Sequence, residues 1–167
     1  QERVEIGPNM TAGELHDQLM YTGADLLVKT VEAMAVGDYP LQDQGGLLAG
    51  REPKHAPKIF KEDMKVDWSL GVDAIFNHIR GLSPFPTAWT EFRNKKNGEI
   101  VSLKIFETER IVKDHGKEVG LSTDNKTYLD VLVKGGVIRI KELQLSGKKR
   151  MKTEEFLRGF HIEDYSL

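Results

Sequence analysis

The sequence predicts an α+β protein in which two helical segments and a linker lead to a further helix and a small antiparallel barrel or sandwich. Apolar residues recur at helical spacing before Gly37 and again within residues 72–79, whereas after Pro86 they alternate with polar residues as in strands. Turn residues divide the alternating region into several short runs. The composition, with 39% apolar and 30% charged residues, is that of a globular chain.

Residues 1–37 are expected to form two helical segments. Thr11 and Glu14 have the spacing of a capping box, Gly23 permits a bend, and Gly37 suits the position after a helix end. The second segment contains an apolar stripe that we expect to be buried, formed by Leu27, Val28, Val31, Met34 and Ala35. Two helices without strands are too little to form a core. We therefore expect residues 1–37 to be the last piece of a domain whose main body lies outside this chain.

Residues 38–57 predict a linker, because they contain three prolines and three glycines and show no apolar periodicity. The acidic part of the chain ends here. Residues 1–55 have four basic and nine acidic residues, a net charge of −5, and the remainder has a net charge of +3. A mildly basic second part is compatible with a surface that faces phosphate groups.

Residues 65–92 predict a central helix, a proline-rich hinge and the first strand. Ser69 is a suitable N-cap for the helix. One helical face, which we expect to close one side of the barrel, is apolar and consists of Val72, Ile75, Phe76 and Ile79. Pro84 and Pro86 prevent the helix from continuing and are expected to hold the chain extended.

The remaining residues predict short strands and a terminal helix. Strands are expected from Trp89, at 100–106, around Val112, around 119–121, at 128–133 and at 137–145. A basic loop follows at 146–152, and Thr153 can cap a short helix. Together with the preceding helix, these elements predict one barrel domain over residues 58–167.

No catalytic or metal-binding motif is recognisable. The chain has no Cys, and no two of its five His have the spacing of metal ligands. Gly45 and Gly46 are not followed by the Lys-Ser or Lys-Thr of a phosphate-binding loop. There is no apolar run near the roughly 18 residues that a membrane span needs, and the absence of Cys is compatible with a reducing, cytosolic setting.

Two groups of basic residues are the candidate binding residues. One precedes the central helix and consists of Lys58, Lys61 and Lys65, and the other lies in the late loop and consists of Lys148, Lys149, Arg150 and Lys152. Positioned cations can hold a nucleic-acid backbone without reading its sequence. The alternative is that both groups are solvated loops, which is the commoner situation. Trp68 and Trp89 could stack on bases, although aromatic residues are more often part of a core.

Three stretches of the chain resemble the C-terminal part of the methionyl-tRNA formyltransferase family. They are KVDWSLGVDAIFNHIRGLSPFPTAW at residues 65–89, LQLSGKKRM at 143–151, and MTAGELHDQLMYTGADLLVKTVEAM at 10–34. The last of these is similar to the final two helical segments of that family's formyltransferase domain. The resemblance covers nearly all of the chain in the order of the family, with residues 107–127 matched by position only.

The resemblance implies a division into three parts. Residues 1–37 would end a Rossmann-like formyltransferase domain, residues 38–57 would be a linker, and residues 58–167 would form an OB-like barrel. The family transfers a formyl group from 10-formyltetrahydrofolate to the amino group of methionine carried by initiator tRNA. Its catalytic residues lie upstream of the segment that Gln1 matches. The resemblance therefore implies no catalytic residue, no bound folate and no metal in this chain, which alone would be inactive.

The resemblance further implies that the barrel is an accessory module for initiator methionyl-tRNA. The positions that match the family's tRNA side are Lys58, Lys61, Lys65, Arg80, Lys148 and Lys149. The complete enzyme would be a cytoplasmic monomer. A further hypothesis is that the chain alone self-associates through residues 1–37, because an uncovered apolar half-domain surface promotes association.

An alternative is a related formyltransferase or formyltetrahydrofolate dehydrogenase that acts on a small molecule. In such a protein the barrel would have a structural or docking role without RNA. The basic loop GKKRM at 147–151 and the motif PFPTAW at 84–89 favour the tRNA enzyme over these relatives.

Overall fold

The computed structural model describes residues 1–167 and begins with one long helix, α1, at Ala12–Val36. The predicted capping box is present, with the Glu14 amide donating to Thr11 Oγ1 at 3.2 Å and the Thr11 amide donating to Glu14 Oε2 at 2.8 Å. The helix ends at Gly37, whose φ of 75° is left-handed. The expectation of two segments with a bend at Gly23 is wrong. A single glycine costs a helix only about 1 kcal/mol relative to alanine, and 24 other residues support this one.

The apolar stripe of α1 lies at the surface, contrary to the expectation that it is buried. None of the helix residues is buried, and Leu27 and Val31 are 63% and 57% exposed. The physical reason is that no other part of the 167 residues packs on this face of the helix. Residues 38–57 are also exposed, except for the half-buried Leu48, and contain only the five-residue helix α2 at Gln44–Leu48, capped by Asp43.

The central helix, α3, extends over Val72–Leu82 and packs its apolar face on the sheet, as expected. Val72, Ile75, Phe76 and Ile79 are all buried. The predicted N-cap at Ser69 is wrong, because the helix begins after Gly71. Ser69 instead donates from its amide and its hydroxyl to Asp67 Oδ1, at 3.0 and 2.6 Å, in a local turn before the helix.

The segment after α3 is a turn and not the extended hinge that the prolines predicted. The Thr87 amide donates to the Leu82 carbonyl at 2.8 Å, which brings the two ends of the turn together. The Ser83 hydroxyl donates to the Phe106 carbonyl at 2.7 Å and so fastens the turn to the sheet. The second of these contacts joins residues 23 positions apart, which proline statistics do not describe.

Seven strands form the sheet. Their bounds are Ala88–Asn94 (β1), Ile100–Val112 (β2), Gly120–Thr123 (β3), Leu129–Val133 (β4), Gly136–Leu145 (β5), Met151–Lys152 (β6) and Tyr165–Ser166 (β7). Val112 ends β2 and has no strand of its own, so that expectation is wrong. A register irregularity near Phe106 lets the long strand bend while its pairing with β5 continues. The terminal helix, α4, is Thr153–Gly159; its N-cap is Lys152, and the Thr153 hydroxyl donates to the Ile140 carbonyl.

The strands form a nearly closed, barrel-like antiparallel sheet in the order β3-β4-β5-β2-β1-β7, with β6 paired to β5. Residues 65–71 cross from one side of the barrel to the other, because Lys65 bridges to Trp89 in β1 and Gly71 bridges to Lys134 beside β4. The inner face forms a single core with α3 and α4, built around Phe92, Leu103, Ile105, Leu129, Val131, Ile138, Ile140 and Leu143. The α+β class expected from the sequence is confirmed.

The turn before β4 is organised by Asp124. Its carboxylate accepts from the amides of Lys126 and Thr127 at 2.9 and 2.7 Å, and from the Thr127 hydroxyl at 2.6 Å. The Thr127 hydroxyl and these backbone donors hold the pKa of Asp124 well below its usual 3.8. A lowered folded-state pKa stabilises the fold above the unfolded-state value, and this stabilisation is lost as pH falls below about 4.

We expect the Asp124→Asn variant to lose less stability on acidification than the unsubstituted protein, because an amide has no proton to gain. The measurement is the denaturant midpoint at several pH values between 6 and 2. Asp38→Asn, at an exposed carboxylate with no side-chain hydrogen bond in the structure, is the control. Parallel acid profiles for the Asp124→Asn variant and the unsubstituted protein would contradict the expectation.

Candidate nucleic-acid interface

The lysines before α3 surround one tryptophan of β1. Lys61 Nζ and Lys65 Nζ lie 5.4 and 5.0 Å from the ring centroid of Trp89, within cation–π distance. The indole Nε1 donates to the Lys61 carbonyl at 2.8 Å and so holds this segment against the strand. Lys58 stands over Phe60 at 5.4 Å in the same segment. Trp89 therefore orders the first predicted basic group, whereas Trp68 is a buried core residue that donates to Thr90.

A row of side chains on the outer face of the sheet joins the two predicted basic groups. Trp89 pairs with Lys104 in β2, and Lys104 pairs with Gln144 in β5. Paired residues on neighbouring strands point to the same face, about 4.8 Å apart. Gln144 Nε2 then donates to the Lys148 carbonyl at 2.7 Å and connects the row to the second group. We call this surface the basic face; it is built on Trp89, Lys104 and Gln144 and joins the segment of Lys58, Lys61 and Lys65 to the loop of Lys148 and Lys149.

Lys104 was not among the residues predicted from the sequence. Its outward direction is readable from the alternation with the buried Leu103 and Ile105. Its place between the two lysine groups cannot be read from the sequence, because this place depends on the register of β1, β2 and β5. The structure thus brings together residues that lie more than 80 positions apart in the chain.

Only some of the lysines on the basic face form salt bridges with acidic residues. Lys65 Nζ lies 2.6 Å from Glu91, and Lys149 Nζ lies 3.1 Å from Glu155. Arg150, which belongs to the same loop, binds Glu142 and stacks on Phe106. No salt bridge in the structure involves the four lysines Lys58, Lys61, Lys104 and Lys148. Unpaired, exposed ammonium groups can bind phosphate without first losing an internal partner.

Arg80 lies in a different environment from the lysines. It forms part of the wall of a cleft of about 1320 Å³ between the start of α1 and the sheet. Its Nη1 donates to the Met10 carbonyl at 2.6 Å and to the Gly7 carbonyl at 3.4 Å, and its Nε donates to Asn77 Oδ1 at 2.7 Å. The guanidinium therefore already makes three hydrogen bonds within this chain, two of them to backbone carbonyls.

The cleft is charge-balanced. Its basic residues are Arg80, Arg110, Lys141 and Arg150, and its acidic residues are Glu14, Asp17, Glu107 and Glu109. Arg110 binds Asp73 at 2.5 Å and Lys141 lies 3.9 Å from Glu109. Arg80 is held by uncharged oxygens and the other three basic residues lie beside carboxylates, so the basic face is the better candidate for phosphate.

The fold and its outer face define a small barrel-like domain with a positively charged surface, attached to a long helix. None of the helices is both long and apolar enough to cross a membrane, and no three His, Cys, Asp or Glu are grouped as metal ligands would be. The family model of the formyl transferase C-terminal domain matches residues 58–161. The chain belongs to this family.

Several relatives are named methionyl-tRNA formyltransferase. The chain is 44% identical to the methionyl-tRNA formyltransferase of Phocaeicola vulgatus, in a match that covers 98% of this chain and 51% of that protein. It is 42% identical to that of Bacteroides fragilis, with the same coverage, and 45% identical to that of Azobacteroides pseudotrichonymphae, over 95% of this chain and 50% of that protein. The chain thus spans about half the length of the curated relatives it matches.

Solved structures of HypX from Aquifex aeolicus share the fold. One variant superposes with a TM-score of 0.63 at 15% identity, covering 96% of this chain and 28% of that one. A HypX structure in complex with tetrahydrofolic acid gives a TM-score of 0.52 at 16% identity, covering 86% of this chain and 26% of that one. Coverage of 96% means that the similarity includes α1 as well as the barrel.

Proposed function

We propose that this chain is the C-terminal part of a methionyl-tRNA formyltransferase and that its barrel is an accessory module for initiator tRNA. The complete enzyme would transfer a formyl group from 10-formyltetrahydrofolate to the amino group of methionyl-initiator tRNA, for translation initiation. The relatives' names and the family membership support the enzyme class. The observation that carries the role of this part is the basic face, with four lysines outside any salt bridge.

The proposal divides the chain as the sequence suggested. Residues 1–37 end a Rossmann-like catalytic domain, residues 38–57 are the linker, and residues 58–167 form the OB-like tRNA-binding domain. The unburied apolar stripe of α1 supports the first part, since a helix of a complete domain would cover such a stripe. The family match that begins at residue 58 supports the last boundary.

In this proposal the barrel contributes binding and not chemistry. The formyl donor and the catalytic side chains belong to the half of the enzyme that precedes this chain, and no residue here is assigned to them. Lys58, Lys61, Lys65, Lys148 and Lys149 hold tRNA phosphates, and Lys104 is added between them. Phosphate contacts fix the position and orientation of a nucleic acid. The barrel would therefore present the methionine that is esterified to the tRNA to the other half of the enzyme.

The complete enzyme would act as a monomer in the cytoplasm, where tRNA is charged and used. The chain alone would associate through the apolar stripe of α1. We do not assign Arg80 to the tRNA-binding residues, because its guanidinium already holds two backbone carbonyls.

A titration of the chain with initiator tRNA at salt concentrations from 20 to 200 mM tests the proposal. Four unpaired lysines should give a slope of log affinity against log salt of about −2.8 to −3.6, since each neutralised phosphate contributes about −0.7 to −0.9. Lys104→Ala should reduce this slope by about one. An absence of binding at 20 mM salt, or binding that is independent of salt, would reject the RNA role and leave the small-molecule alternative.

A further inference from the structure

The helix α1 approaches the barrel most closely at its first turn. The Gly13 amide donates to the Ser83 carbonyl at 2.9 Å. A Cβ atom at position 13 would lie 2.4 Å from Pro84 Cδ and 3.3 Å from Pro84 Cγ, so any side chain there would collide with the proline ring. Glycine at this position therefore lets the helix pack directly on the turn that follows α3.

Arg80 makes a second connection at the same place. From the last turn of α3 it reaches the Met10 carbonyl at 2.6 Å and the Gly7 carbonyl at 3.4 Å, in the segment just before α1. Asn77 Oδ1 accepts from Arg80 Nε at 2.7 Å and fixes the direction of the guanidinium. The arginine thus bridges parts of the chain that are 70 residues apart.

Both sides of this contact are internally fixed. On the barrel side, Ser83 is bonded to the Phe106 carbonyl and the face of α3 that includes Ile79 is buried in the core. On the helix side, the Thr11–Glu14 capping box holds the first turn. Because the first turn of α1 and the turn after α3 are each held in place, a contact between them fixes the orientation of the helix relative to the barrel. A contact with a loose loop would not.

The rest of α1 has little other support. It buries no residue, and the 38–57 segment that follows is exposed apart from Leu48. A helix of 25 residues is about 37 Å long, so a rotation of about 10° at its start would displace its far end by about 6 Å.

We propose that Arg80, Gly13 and the 83–87 turn form a joint that sets the angle between α1 and the barrel. Any polypeptide that covers the apolar stripe of α1 is then held at a defined position relative to the basic face. Arg80 is by this inference a positioning residue and does not bind phosphate. The joint is independent of the RNA proposal, because it rests on contacts within the chain.

Distance measurements between two spin labels test the joint. The chain has no native Cys, so Val36→Cys at the far end of α1 and Lys126→Cys at the exposed turn before β4 would be the only labelling sites. With the labelled chain diluted in an excess of unlabelled chain, so that distances between associated chains do not contribute, we expect one narrow distance distribution in the otherwise unsubstituted protein. Arg80→Ala and, separately, Gly13→Val should shift its mean or widen it by about 5 Å or more. Arg158→Ala, at an exposed arginine of α4, and Gly23→Ala, at a glycine with no atom near its Cβ position, are the matched controls.

Two further readouts separate positioning from other roles. Near-ultraviolet circular dichroism should show an intact barrel in the Arg80→Ala variant, and its affinity for initiator tRNA should stay within about twofold. Unchanged distance distributions in both joint variants would overturn the inference. So would an Arg80→Ala barrel that unfolds, or one that loses tRNA affinity as Lys104→Ala does, because Arg80 would then serve stability or phosphate binding.

Discussion

Reversing the charges of Lys61, Lys104 and Lys148 together should lower the affinity of the chain for initiator tRNA by about 10²- to 10³-fold at low salt. An exposed ion pair contributes up to about 1 kcal/mol and a reversed charge adds some repulsion, so three reversals should cost about 3–4 kcal/mol. At about 1.4 kcal/mol for each tenfold change, this cost corresponds to the expected loss of affinity. All three side chains are exposed and outside any salt bridge. The fold should therefore tolerate Lys→Glu at these positions.

A second triple variant serves as the matched control for this experiment. Lys113, Lys117 and Lys126 lie in loops around β3, away from the basic face, and are exposed and free of salt bridges as well. Changing them to Glu alters the net charge by the same amount. Equal losses of tRNA affinity in the two triple variants would mean that only overall charge matters, and would contradict a defined basic face.

Arg139→Ala should lower the free energy of unfolding by about 3 kcal/mol. Arg139 binds Asp130 with two hydrogen bonds of 2.8 and 2.9 Å and lies over the ring of Tyr128 at 5.1 Å. The hydrogen bond to Asp130 raises the pKa of Arg139 above its already high ordinary value. The Asp130 side chain is only 10% exposed, so removal of the arginine leaves a carboxylate without a partner in a poorly solvated place. Such losses cost about 3–5 kcal/mol, and we take the lower value because a third of Arg139 is exposed.

Chemical denaturation of the Arg139→Ala variant provides the measurement, with Arg158→Ala as a surface control expected to change stability by less than about 0.5 kcal/mol. The double variant Asp130→Ala, Arg139→Ala should recover part of the loss, because it no longer contains an unpaired buried charge. A double variant that is less stable than Arg139→Ala by the full cost of Asp130→Ala would show that the two side chains do not interact energetically.

Local pattern was sufficient for much of the fold. The capping box at Thr11 and Glu14 correctly predicted where α1 begins. The spacing of Val72, Ile75, Phe76 and Ile79 correctly predicted the buried face of α3. These features involve residues within one or two helical turns of each other, so neighbouring side chains decide them. Two of the expectations that failed had local causes, because the long helix tolerates Gly23 and Ser69 bonds to Asp67 two residues before it. The third concerned the 83–87 turn, which a hydrogen bond to the distant Phe106 fastens to the sheet.

The candidate site was predictable only in part. The two lysine groups were visible in the sequence because they are clustered in the chain. Lys104 was not, since a single lysine in an alternating strand has no local signal, and only the register of three strands places it between Trp89 and Gln144. Arg80 was assigned to tRNA by resemblance, whereas its contacts in the structure are with backbone carbonyls.

The α+β class, the resemblance to a family and the charge asymmetry between the two parts of the chain could all be read from the sequence. These properties depend on residue types and on short spacings along the chain. The folded arrangement was needed to learn which lysines share a surface, that the stripe of α1 is uncovered, and that α1 meets the barrel at Gly13 and Arg80. These properties depend on strand register and on contacts between residues as far as 73 positions apart, which local periodicity does not encode.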